Sequence, residues 1–221
     1  MGTRARFYLP ALAIGGLLAL AGIASSHRAR PASVGPPAIT AQQRAAGLHF
    51  DPDVAEADRQ AVLAAIASAR PEARELIDDV DGLVDVSVGP VGGQSVGVTQ
   101  QVGNASYHVT LDLATVSATL GRRGIARLVL HELGHVVDFA LVPDSLMNVL
   151  DSGIPPGLGC DAGVTGGCAQ REERFAETFA KWALDDIGVS LDIGYKVPPP
   201  RLPLAIWGEP LARLAHQVSA G

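Results

Sequence analysis

The sequence predicts an α+β fold in which a small β-sheet packs on one long buried helix. Three β-rich runs, separated by glycine-containing turns, lie between residues 84 and 113, and they read VDVSVG, SVGVTQQV and SYHVTLDL. Segments with helical periodicity precede and follow this block, an order of elements typical of α+β proteins. The chain has 221 residues, which is enough for one domain with a hydrophobic core. We place that domain at residues 39–221.

Two helices are predicted before the strands. Asp51 is suited to cap a helix that starts at Pro52, and the alanine-rich segment 54–69 continues it. Pro71 starts a second helix, which we expect to end near Asp81–Gly82.

The last two β-rich runs are expected to form a hairpin around Gly103–Asn104. In the final run, Tyr107 and every second residue after it, as far as Leu113, share one apolar face. His108 lies on the opposite face and is expected to face solvent.

Residues 1–30 have the composition of an export or anchoring segment. Two arginines precede a charge-free apolar run from Phe7 to Ala24. The run has about 18 residues, close to the lower limit for a membrane span, so cleavage as a signal peptide and retention as a transmembrane anchor both stay open. Either outcome places the rest of the chain outside the cytoplasm, beyond a Pro/Gly-rich linker at residues 31–38.

The charge of the exported part argues against a nucleic-acid partner. The chain has 17 basic and 23 acidic side chains, and residues 1–30 contain four of the arginines and none of the acids. The remainder is therefore strongly acidic, whereas nucleic-acid-binding domains carry basic patches. We expect membrane contact only through the N-terminal segment.

The only two cysteines, Cys160 and Cys168, lie in a glycine-rich loop. In an exported chain, such a pair predicts a disulfide bond. Two free buried thiols are the alternative. A two-cysteine zinc site is disfavoured because no histidine or third cysteine lies near the pair.

The segment GIARLVLHELGHVVDFAL, residues 124–141, predicts a helix that is apolar around nearly its whole circumference and is therefore buried. Its polar side chains form one stripe along the helix. The stripe consists of Arg127, His131, Glu132, His135 and Asp138. Burying such groups without partners is unfavourable, and a bound metal ion would be a partner for them.

His131 and His135 lie one helical turn apart and project from the same face, which suits two ligands of one tetrahedral Zn²⁺. Glu132 cannot join them as a ligand, but it can reach a water in the open coordination position. It is therefore the candidate general base. Gly134 is expected to leave room beside the metal for a substrate or a strand.

A third protein ligand is expected on the next acid-bearing helix, residues 169–188. A third histidine six residues after the second would stand at position 141, where the chain has a leucine. On the helical wheel Glu173 lies among apolar positions and points inward, and Glu177 follows one turn later. The alternative is a solvated helix face on which Glu177 pairs with Lys181.

These two motifs resemble those of the gluzincin metallopeptidases. HELGH at 131–135 is similar to the zinc-binding helix of that group, and ERFAETFAKW at 173–182 resembles its second ligand helix. The likeness covers residues 83–187, is closest to lethal-factor-like catalytic domains and implies a zincin-like fold. At the site it implies His131, His135 and Glu173 as zinc ligands, Glu132 as general base, and Glu177 and Asp138 as residues that orient the ligands.

The resemblance implies two further features. Members of the family commonly add a tyrosine or histidine that stabilises the oxyanion, and no tyrosine lies between the two motif helices of this chain. Tyr195 is the candidate, and His216 is the other residue of this kind downstream. Members also bind an extended peptide along an edge strand by strand addition, and the run from Tyr107 to Leu113 is the expected edge.

The expected protein is an exported zinc metallopeptidase, an endopeptidase with one Zn²⁺ per chain and a peptide or protein substrate. The alternative is a non-catalytic, zinc-stabilised binding domain displayed outside the membrane. Glu132 favours the enzyme, because a structural zinc site has no use for a carboxylate beside an open coordination position.

Overall fold

A computed structural model describes residues 47–92, 95–156, 169–187 and 197–219. The predicted export segment, the linker at 31–38, Cys160, Cys168 and Tyr195 lie outside these described residues, and the expectations about them stay predictions. Across the described ranges, no helix is both long and apolar enough to cross a lipid bilayer.

Four strands form one mixed sheet. They are β1 (His49–Phe50), β2 (Val84–Val88), β3 (Gly97–Gly103) and β4 (Ser106–Leu111). Their order across the sheet is β1-β2-β4-β3. Strand β2 runs parallel to β1 and to β4, while β3 and β4 form the antiparallel hairpin that the sequence predicts.

The helices of the described ranges are α1 (Glu56–Ala67), α2 (Pro71–Asp78), α3 (Leu113–Leu141), α4 (Asp144–Ser152), α5 (Arg171–Leu184), α6 (Leu204–Trp207) and α7 (Glu209–Ser219), with a short 3-10 turn at Asp81–Leu83. Helix α3 packs against the sheet and also against α1 and α5, while α2 packs against α7. The predicted α+β fold, with a small sheet on a buried helix and a second helix beside it, is confirmed.

The prediction that the run from Tyr107 to Leu113 forms the edge strand is wrong. Strand β4 lies between β2 and β3, and its Val109 pairs with Val86 on one side and with Thr99 on the other. The outer strand of the hairpin is β3. Alternation within a strand predicts which face is buried, but it carries no information about which neighbours pair with that strand.

Helix α1 begins at Glu56 rather than at Pro52. The N–H of Asp51 donates to a β2 carbonyl at 2.9 Å, and the N–H of Val54 donates to the Asp51 carbonyl at 3.1 Å. The Arg59 side chain donates to both the Asp51 and the Val54 carbonyls, at 3.0 Å each. Asp-Pro therefore lies in the turn between β1 and α1. The dipeptide is favoured in turns as well as at helix starts, so its presence alone did not distinguish the two.

Helix α3 contains a break at Gly121, whose φ of 63° and ψ of −159° lie outside the helical region. Glycine adopts this backbone without the steric cost that a side chain would bring. Asp112 caps the first stretch, because its Oδ1 accepts the N–H of Thr115 at 3.0 Å. The second stretch, residues 122–141, contains the long buried helix predicted from the sequence.

The sheet packs its predicted apolar face on α3. Tyr107, Val109 and Leu111 are almost completely buried. His108, on the opposite face, is half-buried, and its Nε2 lies 3.0 Å from the hydroxyl of Ser87. The alternation predicted for this strand is therefore present.

Gly134 faces helix α5 and not an open space for substrate. A Cβ at this position would lie 3.2 Å from the Cα of Ala176 and 3.1 Å from the ring of Phe179. The two helices thus approach more closely here than most side chains allow. The expected role of Gly134 is corrected: it contributes to the packing of α3 against α5.

Replacing Gly208 with alanine should destabilise the fold. A Cβ at Gly208 would overlap the indole ring of Trp182, which is fully buried and cannot move aside without disturbing the core. Overpacking of this kind costs about 1–3 kcal/mol. Urea unfolding of Gly208→Ala should therefore show a lower midpoint than the native chain. Gly89→Ala is the control, because a Cβ there meets no atom within 4 Å, and equal midpoints for both variants would contradict this packing.

Candidate metal centre

The polar stripe predicted on α3 is buried. Arg127 and His135 have no exposed surface, while His131, Glu132 and Asp138 expose 5%, 1% and 2% of theirs. Each of these groups therefore depends on a partner inside the protein or on a bound ion.

Glu173 on α5 meets the two histidines of α3. His131 Nε2 lies 3.2 Å from His135 Nε2 and 3.3 Å from Glu173 Oε2, and His135 Nε2 lies 3.7 Å from Glu173 Oε1. All three side chains are buried, and each offers one ligand atom within 4.8 Å of the others. Two helices that are separate in sequence thus supply one group that could hold a metal ion.

The triangle of donor atoms matches the size of a zinc coordination shell. Tetrahedral zinc bonds of about 2.0–2.1 Å place neighbouring ligand atoms roughly 3.4 Å apart. The separations in this structure run from 3.2 to 3.7 Å. Imidazole nitrogen and carboxylate oxygen are also ligands that Zn²⁺ accepts. By distance and by chemistry, the three residues fit a zinc ion.

Glu177 lies behind His131 and contacts its other ring nitrogen. Glu177 Oε2 is 3.2 Å from His131 Nδ1, and Glu177 Oε1 accepts a hydrogen bond from Arg127 Nη2 at 2.6 Å. A carboxylate in this position holds the imidazole so that Nε2 faces the metal site. The structure places Glu177 where the predicted orienting role would operate, and the role itself stays a prediction.

The surroundings of Glu177 keep its carboxylate ionised. Burial raises the pKa of Glu177, but Arg127, His131 and Lys181 together lower the pKa to about 2. Lys181 is buried as well; its Nζ lies 3.5 Å from Glu177 Oε1 and donates to the carbonyl of Val197. The alternative of a solvated helix face is therefore wrong, because the Glu177–Lys181 pair is inside the protein.

Glu132 turns toward the sheet and is not part of the three-residue ligand group. Its Oε2 accepts a hydrogen bond from the hydroxyl of Thr99 on β3 at 2.7 Å. The carboxylate is thus held between the metal-site helix and the outer strand of the hairpin. Its role as a general base stays a prediction.

Two other predicted residues have a described position. Asp138 is buried on α3, three residues after His135, and its effect on the ligands stays a prediction. His216 is exposed on α7, where its Nδ1 lies 3.5 Å from Glu75 Oε2 on α2.

Arg127 and Lys181 contact Glu177, and Thr99 contacts Glu132. The sequence placed Arg127 in the polar stripe and Lys181 one turn after Glu177, but it did not predict these contacts of Arg127 and Thr99. Arg127 precedes His131 by one helical turn and Lys181 follows Glu177 by one turn, so spacing along each helix is a signal that could have identified them. Thr99 precedes Glu132 by 33 residues. No local pattern connects that pair.

A scan against protein-family models, a search of curated proteins and a search of solved structures each found no match to this chain. The functional assignment therefore depends on geometry. The buried His131, His135 and Glu173, carried by two neighbouring helices, are consistent with a zincin-like metal site of the HExxH…E type.

Zinc retention should separate the two glutamates of α5. Glu173→Ala removes one of three donors, so the purified variant should contain no zinc. Glu177→Ala removes only an orienting partner, so zinc affinity should fall about 10- to 100-fold. Competition with a coloured chelator measures the zinc affinity of both variants. Glu172→Ala on the same helix is the control. Loss of zinc from Glu177→Ala together with retention by Glu173→Ala would exchange the two roles.

Zinc binding should release a proton. Burial lowers the pKa of His131, but hydrogen bonds to Glu173 and Glu177 outweigh burial and raise the pKa to about 10. At pH 7.5 the metal-free ring therefore carries a proton that zinc must displace, so apparent affinity should rise about tenfold per pH unit up to that pKa. Calorimetry in buffers of different ionisation enthalpy should count about one proton released per zinc. Identical heats in all buffers would contradict a protonated ring.

Proposed function

We propose that this protein is a zinc-dependent peptidase that hydrolyses internal peptide bonds. The observation that carries the proposal is the set of buried donors, His131, His135 and Glu173, with Glu132 on the same helix but outside the ligand triangle. Within the described part of the chain, three protein ligands meet, and a zinc site with three protein ligands would keep a position for water or substrate, which is the pattern of catalytic zinc sites. A structural site would fill that position with a fourth residue.

Each site residue has a distinct task in this mechanism. A bound zinc ion supplies a Lewis acid, which polarises a carbonyl and lowers the pKa of a water. His131, His135 and Glu173 hold the ion, and Glu177 orients the His131 ring. Glu132 accepts a proton from the attacking water and delivers it to the leaving amine.

The substrate is proposed to bind along β3. This strand pairs with β4 on one side and is an outer strand of the described sheet, so no described strand pairs with its other edge. We propose that an extended peptide adds to the sheet at this edge. The contact of Thr99 with Glu132 places β3 next to the proposed base. Strand β3 takes the place of the edge strand expected from the sequence.

The export of the domain is part of the proposal and depends on residues 1–30, whose arginines and apolar run are typical of signal peptides and N-terminal anchors. The alternative function is a zinc-stabilised binding domain without catalysis. Both functions need the three ligands, and only the peptidase needs an ionised Glu132.

The substitution Glu132→Gln separates these two functions. The amide cannot accept the proton, so peptide hydrolysis should fall about 10²- to 10⁴-fold. Zinc content should be unchanged, because Glu132 is not in the ligand group. Initial rates on a quenched fluorescent peptide library and zinc content by mass spectrometry measure the two effects. The exposed Glu56→Gln is the control. An unchanged rate in Glu132→Gln would contradict the role of Glu132 as the base, and a zinc-loaded native chain that hydrolyses no peptide would favour the non-catalytic alternative.

A further inference from the structure

Strand β3 contacts the proposed base through Thr99. The Thr99 hydroxyl donates to Glu132 Oε2 at 2.7 Å and also lies 3.1 Å from the backbone carbonyl of Glu132. Thr99 exposes 1% of its surface. One buried hydroxyl is therefore directed at both the side chain and the main chain of the same residue.

Gly97 provides the space that the Glu132 carboxylate occupies. A Cβ at Gly97 would overlap Glu132 Oε1 and would lie 2.9 Å from Glu132 Cδ and 2.7 Å from the side chain of Leu128. Gly97 and Thr99 are both buried, whereas Val98 between them is only half-buried, as alternation along a strand requires. The two residues thus present one surface of β3 to helix α3.

A hydroxyl at position 99 is unusual for its place in the sheet. On the neighbouring strand β4, the same face is formed by the apolar side chains of Val109 and Leu111 and by the ring of Tyr107. A polar group among them is unfavourable unless it is hydrogen-bonded. Glu132 is the acceptor that satisfies it, and the β-branched side chain of threonine has a stiff χ1 that holds the hydroxyl in place.

We propose that Thr99 is a positioning residue for Glu132: its hydroxyl holds the base carboxylate at β3, in the space left by Gly97, in the orientation that proton transfer needs. The inference rests on the proposed peptidase function. Thr99 is not expected to contact the metal ligands or the reacting atoms. Because the proposed substrate also adds to β3, one strand sets the place of both the peptide and the base.

The test uses the full chain loaded with zinc, as native protein and as Thr99→Val, Thr99→Ser, Glu132→Gln and the Thr99→Val/Glu132→Gln double variant. Valine has nearly the shape of threonine without the hydroxyl, and serine keeps the hydroxyl. Thr110→Val is the control, because Thr110 lies on the opposite face of β4, where its hydroxyl meets Ser87. Activity is measured on the best peptide from the fluorescent library.

Thr99→Val should lower kcat about 10- to 100-fold, if orienting the base matters as much as orienting a metal ligand does. KM and zinc content should stay within about twofold of the native values, and Thr99→Ser should restore kcat to within about threefold. In the Glu132→Gln background, Thr99→Val should cause no further loss, since both changes act through one group. An unchanged kcat in Thr99→Val, or an equal loss with and without Glu132, would overturn the inference.

Binding of acetohydroxamate gives a second measurement that needs no turnover. Its hydroxyl would donate to the base carboxylate, so Thr99→Val and Glu132→Gln should each weaken binding, and the double variant should bind no more weakly than Glu132→Gln. If the native chain binds zinc but cleaves no peptide, the proposed function fails. Acetohydroxamate binding by the native chain and the variants then decides whether Thr99 positions Glu132. If the native chain binds no zinc, both proposals are overturned.

Discussion

The described structure depends on how buried charges between α3 and α5 compensate each other. The carboxylate of Glu177 contacts Arg127, His131 and Lys181, so three basic groups surround one acid. Removing such groups from water costs several kcal/mol per ion unless good pairs form inside the protein. The Glu177–Lys181 pair lies within α5, whereas the contacts of Glu177 with Arg127 and His131 join the two helices and fix their relative position. The same relative position of the helices brings Glu173 close to the histidines. One packing of α3 against α5 therefore produces both the charge pairs and the metal-ligand group.

Close packing on both sides of α3 supports that arrangement. On one side, Gly134 lets α5 approach through Ala176 and Phe179, which puts a ligand from each helix within reach of one point. On the other side, the inner face of the sheet covers the helix, and Thr99 reaches Glu132 from β3. The two histidine ligands and the base thus lie on one helix whose orientation is constrained from two directions, as pre-organised sites require.

Much of the fold and of the site could be predicted from the sequence, because helices and strands have fixed local geometry. A period of 3.6 residues puts His131 and His135 on one side of a helix. The same period predicts that Glu173 points toward the interior. A period of 2 places Tyr107 and Val109 on the buried face of β4. Each of these predictions uses neighbours within one element, whose directions follow from the backbone alone.

Contacts between elements could not be predicted in this way. In the sheet, β3 and not β4 is the edge strand. Gly134 packs against α5, and Lys181 is buried inside the protein. The contact of Thr99 with Glu132 joins residues 33 positions apart. The sequence by itself determined which residues each helix and strand presents on one face. Only the tertiary structure decided what meets that face, because the choice depends on the packing and charge balance of the whole domain.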